Sequence, residues 1–249
     1  MKRLLLFFFI INTFFSFSQH SIGRGRSLVG EGLWSENVAG LANEDQFSVG
    51  FFVNNYFLLP ELTASHLKSL IPTKYFKISV HWSHMGDFIY NEQNGNLSLA
   101  RSFSPRFKMG LGMDIERKSL LQQKTNSIFC KIGMQSYISK ELSWGMQLSN
   151  ALFGQSSSSQ ISMSMSYTIS KKTNVIFSAI KETSLPITIE GLVNYYLLEC
   201  IELQLAISNT AYHNHFGLTL YWKAFAFDLI LQNHSYLGFG PQIGLSHSF

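Results

Sequence analysis

Apolar and polar residues alternate along most of this 249-residue chain. Residues 76–82 carry Phe76, Ile78, Val80 and Trp82 at even positions, with polar residues between them. The same two-residue period recurs in residues 107–115 and 161–169. Since successive side chains of a strand point to opposite faces, strict alternation places one face in an apolar medium and the other in a polar one.

Further segments continue this series. Alternating runs lie at residues 49–53, 97–99, 128–134, 142–148, 175–179, 187–197, 201–207, 216–222, 225–231 and 237–249. A less regular run lies near Leu62 to Ile71. The count is about 14 (12–14), and single-chain bacterial barrels have an even number of strands. The pattern predicts an all-β protein, a transmembrane antiparallel up-and-down β-barrel.

Short polar segments separate the predicted strands. Turns are expected at Asn94-Gly95, Ser104-Pro105, Asn209-Thr210 and residues 170–174. Longer loops are expected at residues 86–94, 118–126 and 153–159. Beyond the N-terminus, no apolar stretch reaches the ~20 residues of a spanning helix. A membrane location therefore requires a barrel.

The first 19 residues have the layout of a secretory signal peptide. Lys2 and Arg3 precede an apolar run from Leu4 to Phe15, and residues 15–19 form a cleavage zone. The alternative is a membrane anchor, but the run is shorter than the ~20 apolar residues that such a helix needs. Residues 1–19 are therefore expected to be removed during export.

Composition favours a membrane protein over a secreted β-sandwich, which also alternates. Charged residues are 14% of the chain, against about 25% in ordinary soluble domains. The net charge of +4 falls to +2 without Lys2 and Arg3, and the basic residues form no run. This small charge and its even distribution do not favour nucleic-acid binding. No cofactor is expected.

The chain ends on an alternating strand with the aromatic residue Phe249. An aromatic terminus of this kind is typical of outer-membrane barrels, whose assembly machinery reads the last strand. Phe249 is thus the predicted assembly signal, and this strand is expected to pair with the first long one, near Val49 to Phe57. Outer-membrane lipid and the barrel assembly machinery are the predicted partners.

Two cysteines, Cys130 and Cys200, lie far apart in predicted strands. An exported chain could join them in a disulfide, but lone buried or lipid-facing thiols are the simpler interpretation.

Charged and histidine residues on the polar faces are candidates for the lumen wall. A charge facing hydrocarbon near the midplane costs ~2–4 kcal/mol, so these residues must face inward or lie beyond the membrane. The mixed signs favour a lumen filled by salt bridges over an ion-selective pore. The candidates are Lys77, His81, Arg106, Lys108, Asp114, Glu116, Glu202, His215 and Asp228, with Lys131 and Glu190 beside them.

Catalysis and metal binding have weak support. His81 or His215 could in principle activate a serine, but no Gly-x-Ser-x-Gly motif is present and no acidic residue is spaced to orient either histidine. His213 and His215 share a strand face without a nearby carboxylate or cysteine. The chain is not expected to be an enzyme or to hold a metal.

The residues also resemble a known family. Residues 82–92, Trp-Ser-His-Met-Gly-Asp-Phe-Ile-Tyr-Asn-Glu, are followed by Leu-Ser-Leu-Ala-Arg at residues 97–101. These stretches resemble the PorV/PorQ-type barrels, relatives of the FadL long-chain fatty-acid transporter fold. Ala39-Gly40-Leu41-Ala42 resembles the end of that family's Asn-Pro-Ala-Gly-Leu-Ala segment, with Val38 in place of the proline. The resemblance covers essentially the mature chain.

The resemblance implies an outer-membrane barrel with a short inward N-terminal segment. Residues 20–45 would form that periplasmic or luminal segment, and residues 46–249 the barrel. Some relatives are accessory parts of the type IX secretion system, which predicts a scaffold that binds secretion-system components. Other relatives admit hydrophobic molecules, so the alternative is a FadL-like channel for small hydrophobic ligands. An outer-membrane lipid hydrolase is the remote alternative.

Overall fold

The computed structural model describes residues 28–29, 33–120, 123–154, 159–210, 214–234 and 238–249. The predicted signal peptide and residues 20–27 lie outside this part of the chain. The boundaries proposed there therefore stay predictions.

The chain forms a closed, all-antiparallel barrel in which each strand pairs with its neighbours in sequence. This confirms the predicted fold class. The strands are β1 Ser48–Asn55, β2 Thr63–Pro72, β3 Lys77–Gly86, β4 Tyr90–Ser104, β5 Phe107–Leu120, β6 Gln123–Tyr137, β7 Leu142–Phe153, β8 Ser159–Ser170, β9 Thr173–Glu182, β10 Thr188–Leu198, β11 Ile201–Ser208, β12 Asn214–Trp222, β13 Phe225–His234 and β14 Gly238–Ser248. Short 3₁₀ helices lie at Val38–Asn43, Tyr56–Leu58 and Pro60–Leu62.

The last strand closes the barrel against the first. β14 pairs with β1 from Ser48↔Ser248 to Asn54↔Gln242. Beyond β14, the Phe249 amide donates to the Phe47 carbonyl at 2.8 Å. The predicted pairing of the terminal strand with the first long strand is confirmed.

The two faces of the wall have opposite chemistry. Outward side chains are large, apolar and exposed, as with Phe177 and Ile243, each 63% exposed. Inward side chains are largely polar and buried, and Ser79 and Gln135 are both 0% exposed. An outer face of this kind is stable in the hydrocarbon of a bilayer, because its apolar side chains then contact apolar lipid chains. Among the described residues, no helix is long and apolar enough to cross a membrane.

The two ends of the barrel differ in their connections. The turn end carries the start of β1, the end of β14 and connections of two to four residues, such as 105–106 and 171–172. The loop end carries connections of up to seven residues, the longest being 56–62 between β1 and β2. Outer-membrane barrels place short turns on the periplasmic side and longer loops outside.

Several local predictions need correction. Asn94-Gly95 lies inside β4, not in a turn, and most of the predicted loops 86–94 and 118–126 belongs to strands. Polar residues continue these hairpins beyond the apolar alternation, since β4 and β5 pair without interruption from Tyr90↔Leu120 to Ser102↔Lys108. The irregular run near Leu62 to Ile71 is the genuine strand β2.

The two cysteines are free. Cys130 lies on the outward parity of β6 and is half-buried. Cys200 is exposed in the turn between β10 and β11, so its predicted place in a strand is wrong. Glu199 and Cys200 form that two-residue turn.

We expect a charge on the outward face to destabilise the barrel. Leu229 is 52% exposed near the middle of β13. Leu229→Arg should lower the free energy of unfolding in lipid vesicles by roughly 2–4 kcal/mol, because the guanidinium would face hydrocarbon. Urea titration measures this change. Phe88→Arg is the control, since Phe88 is 90% exposed in the connection between β3 and β4. Equal losses in the two variants would contradict a lipid-facing outer wall.

Candidate functional site

The chain's own N-terminal segment lies inside the barrel. We call residues 28–29 and 33–45 the plug. Its 3₁₀ helix contacts the inner wall of β3 to β6, and Val38, Ala39 and Leu41 are almost completely buried. The plug therefore occupies the lumen.

Glycines on the inner wall make room for the plug. A Cβ atom added at Gly110 on β5 would lie 2.6 Å from the carbonyl carbon and oxygen of Val38. Added Cβ atoms at Gly133 and Gly145, on β6 and β7, would also meet the plug at less than van der Waals distance. Because any side chain would displace the plug, this close approach requires glycine.

Asn37 organises the polar contacts of the plug. It is 0% exposed, and its Nδ2 donates to the carbonyls of Leu28 at 2.8 Å and Met134 at 2.9 Å. Its Oδ1 accepts from the Ala39 amide at 3.0 Å, which caps the 3₁₀ helix. The amide thus satisfies buried backbone groups of both plug and wall.

Wall side chains complete this hydrogen bonding. Gln147 Oε1 accepts from the Val38 amide at 3.0 Å, and Gln135 Nε2 donates to the Val29 carbonyl at 3.0 Å. Without such partners, the irregular backbone of the plug would carry unsatisfied polar groups inside the lumen.

Apolar contacts add to the hydrogen bonds. The Trp34 ring packs edge-on against Phe52 of β1, with centroids 5.7 Å apart. Leu33, Leu41 and Ala42 share this buried cluster with wall residues. Burial of these apolar groups against the wall stabilises the docked plug.

A cavity of about 150 Å³ remains between the plug and the loop end. Trp34, Val38 and Leu41 contribute the plug side of the cavity. The wall side is mixed in chemistry. It includes Tyr56, Ala64, His66, Lys68, His81, Met85, Glu92, Asn96, Asp114 and Lys131.

Asp114 and Glu116 lie buried on the inward face of β5, and each has a lysine partner. Asp114 Oδ2 is 2.5 Å from Lys131 Nζ on β6, and Asn96 Nδ2 donates to its Oδ1. Glu116 Oε1 is 3.2 Å from Lys118 Nζ. These charges form ion pairs with lysines on the same or the neighbouring strand, not a ring of one sign.

Glu202, His215 and Asp228 are buried on the inward faces of β11, β12 and β13. The Tyr221 hydroxyl donates to Glu202 at 2.5 Å, and the Thr219 hydroxyl donates to Asp228 at 2.7 Å. These residues are separate from the cavity lining.

The remaining charged candidates lie towards the turn end. Lys108 is buried, and its Nζ donates to the Tyr137 hydroxyl at 3.2 Å. Lys77 pairs with Asp45 at the end of the plug, with 2.5 Å between Nζ and Oδ1. Arg106 is exposed in the turn between β4 and β5. Its predicted place on the lumen face is wrong, because the chain reverses at residues 105–106.

His81 lines the cavity, and its ring stacks on His66 of β2 with centroids 5.6 Å apart. His213 lies outside the described residues. Within the ranges that the structure describes, no group of three or more His, Cys, Asp and Glu could hold a metal ion.

Several residues of the site were not predicted from the sequence. His66 and Lys68 lie on β2, whose outward face mixes Ser65 and Ser69 with apolar residues and so lacks a clear alternation. The role of Asn37 as a helix cap could have been predicted, since asparagine is a favoured N-cap residue before an apolar segment. Gln135 and Gln147 shared the polar parity of predicted strands, but nothing in the sequence linked them to the plug.

Comparisons with known proteins support the fold. No protein-family profile matches the chain, and no curated protein matches it. The toluene transporter TbuX of Ralstonia pickettii is similar in structure, with a TM-score of 0.66 at 8% identity over 92% of this chain and 99% of that one. A FadL homologue of Pseudomonas aeruginosa has a TM-score of 0.61 at 11% identity over 92% and 97%. The KdgM porin has a TM-score of 0.51 at 14% identity over 81% and 99%. At these identities the likeness shows the fold alone.

We expect Gly110→Ala to loosen the plug, because the new methyl group would overlap the Val38 carbonyl. Overpacking of this kind costs typically 1–3 kcal/mol. Planar-bilayer recordings should show a higher conductance than wild type. Gly95→Ala on β4 is the matched control, since an added Cβ there meets nothing within 4 Å. Equal conductance in both variants and wild type would contradict a lumen blocked by the docked plug.

The Lys77–Asp45 pair is expected to make a small contribution to stability that is lost in acid. The hydrogen bond from Lys77, followed by its charge, lowers the pKa of Asp45 below its usual value of 3.8. Because the folded-state pKa is the lower one, the pair stabilises the protein above the unfolded pKa and loses this effect as pH falls through the folded pKa. The difference in unfolding temperature between wild type and Asp45→Asn should shrink below pH ~3.8. A difference that is constant with pH would contradict this.

Proposed function

We propose that the protein is an outer-membrane channel for small hydrophobic molecules, with the plug controlling passage. One observation carries the proposal. A closed barrel with an apolar outer face holds its own N-terminal segment, and a cavity of about 150 Å³ lies beside that segment. A space of this kind inside a barrel can hold a small molecule.

The likeness in fold to TbuX and to the FadL homologue supports a channel more than a scaffold. We propose that residues 1–19 are cleaved during export and that residues 20–45 form a luminal segment of the mature protein. Phe249 would direct assembly through the barrel assembly machinery. The loop end then faces the cell exterior, and the turn end faces the periplasm.

A molecule entering at the loop end would reach the cavity first. Its wall at that end includes an apolar cluster with Tyr56, Ala64 and Met85. The plug stands between the cavity and the turn end, so passage would require the plug to shift. This route leaves every strand pair of the wall intact.

The secretion scaffold is the second candidate, and its support is the resemblance of residues 82–92. In the structure, Met85 and Glu92 from this stretch line the cavity, inside the barrel. Phe88 is exposed at its tip. The stretch thus contributes more to the lumen than to a surface for a protein partner, which favours the channel. A lipid hydrolase built on His81 or His215 remains the remote alternative.

Deletion of the gene, with complementation, tests the channel. We expect slower uptake of at least one compound among labelled toluene, p-cresol and benzoate when each is supplied at limiting concentration. Complementation should restore uptake, and glucose uptake should be unchanged. The same cells are assayed for secreted proteins, and the tagged protein is used to recover bound partners.

Unchanged uptake of all three compounds would contradict the channel. A secretion defect with recovery of secretion-system components would then favour the scaffold. Phospholipid hydrolysis by the purified protein, lost in His81→Ala or His215→Ala, would favour the hydrolase.

A further inference from the structure

The cavity combines apolar walls with buried polar atoms that have no hydrogen-bond partner among the described residues. His66 is 6% exposed, and both of its ring nitrogens are in this state. Trp34 Nε1 and His81 Nε2 are also buried without a partner in that part of the chain. All three side chains line the same cavity.

Such atoms are costly to leave without a partner. An unsatisfied buried donor or acceptor costs about 1–3 kcal/mol, so polar groups inside proteins are almost always hydrogen-bonded. Three side chains that carry such atoms line one cavity, and this arrangement suits a ligand that supplies hydrogen bonds.

The type of atom narrows the chemistry of that ligand. A neutral imidazole has one donor and one acceptor, and the indole N–H of Trp34 is a donor. A hydroxyl group can donate one hydrogen bond and accept others, so it complements both. Lys68 adds a further donor group, whose Nζ already donates to the Ser35 carbonyl at 3.2 Å.

Charge disfavours a carboxylate ligand. Two cations line the cavity, Lys68 and Lys131, and three acids outnumber them, Glu36, Glu92 and Asp114. Asp114 pairs directly with Lys131, and Glu36 is close enough to Lys68 for an electrostatic attraction. An added negative charge would therefore lose its water without gaining a net positive partner.

Size limits the apolar part of the ligand to one ring. A cavity of about 150 Å³ matches the engineered protein cavity that binds benzene. Trp34, Tyr56 and Met85 supply apolar surface for a ring.

We propose that this cavity is a binding site for a neutral single-ring phenol. His66, His81 and Trp34 meet the hydroxyl group, and the apolar walls hold the ring. The proposal rests on the proposed channel function and names the substrate class of its lumen. It differs from a site for pure hydrocarbons, because the hydroxyl carries recognition.

Calorimetric titration of the purified full-length protein in detergent tests the site. The probes are p-cresol, toluene and benzoate. p-Cresol and toluene differ by a single hydroxyl group. We expect p-cresol to bind roughly tenfold more tightly than toluene, since the hydroxyl forms about two hydrogen bonds. Benzoate should bind more weakly than p-cresol.

His66→Phe keeps an aromatic ring but removes both ring nitrogens. The p-cresol affinity of this variant should fall towards that of toluene, while its toluene affinity is retained. His84→Phe is the matched control, because His84 has the outward parity of β3 and stacks on Trp82. It should bind p-cresol as wild type does. Heat-modified migration in gels checks that both variants form the barrel.

Equal affinities for p-cresol and toluene, tighter binding of benzoate, or no binding of any probe would each overturn the phenol site. So would an unchanged p-cresol affinity in a folded His66→Phe variant. Because binding is measured on purified protein, these results are separate from the uptake experiment. If uptake is slow in the deletion strain but the purified protein does not prefer p-cresol, the channel function is supported and the phenol site is contradicted.

Discussion

The structure depends on the requirement that backbone N–H and C=O groups be hydrogen-bonded where no water can reach them. In a bilayer, a sheet meets this requirement only if it closes, because an open edge would expose a row of unsatisfied groups. The pairing of β14 with β1 is that closure. The pleat of each strand then places alternate side chains outward, towards lipid, and inward, towards the lumen.

Closure also creates the interior that the plug fills. Polar inward residues need partners, and the plug supplies backbone groups that Gln135 and Gln147 bind. The fit depends on Gly110 and Gly133, since a side chain at either position would overlap the plug. The plug and inner wall are therefore complementary in both shape and hydrogen bonding. The cavity is the place where this complementarity stops, and there His66 and Trp34 have polar atoms without partners among the described residues.

The barrel could be predicted from sequence because lipid imposes a strict two-residue period. Residues 107–115 of β5, 161–169 of β8 and 225–231 of β13 show this period without interruption. The strand count, the closure of the barrel and the outward parity of each strand could be predicted from it. Hairpin ends could not be predicted, since residues 90–94 and 116–120 pair beyond the apolar band with mostly polar side chains. The contacts inside the barrel were even harder to predict. Lumen residues such as Lys68 and Gln147 are constrained by contacts with the plug, which are distant in sequence and leave no periodic signal.

We propose that the N-terminal segment, which occupies the lumen, must move for a molecule to pass. A Cβ added at Gly112 would lie 3.1 Å from Val38 Cγ1, a separation that suits a disulfide between cysteines at these positions. The decisive measurement is uptake of p-cresol by cells carrying Val38→Cys with Gly112→Cys, in a background with Cys130→Ser and Cys200→Ser. We expect the disulfide to form, uptake to fall to the level of the deletion strain, and a reductant to restore it. Failure of the disulfide to form would contradict a plug docked in the lumen. Normal uptake with the disulfide in place would contradict the proposal that the plug must move.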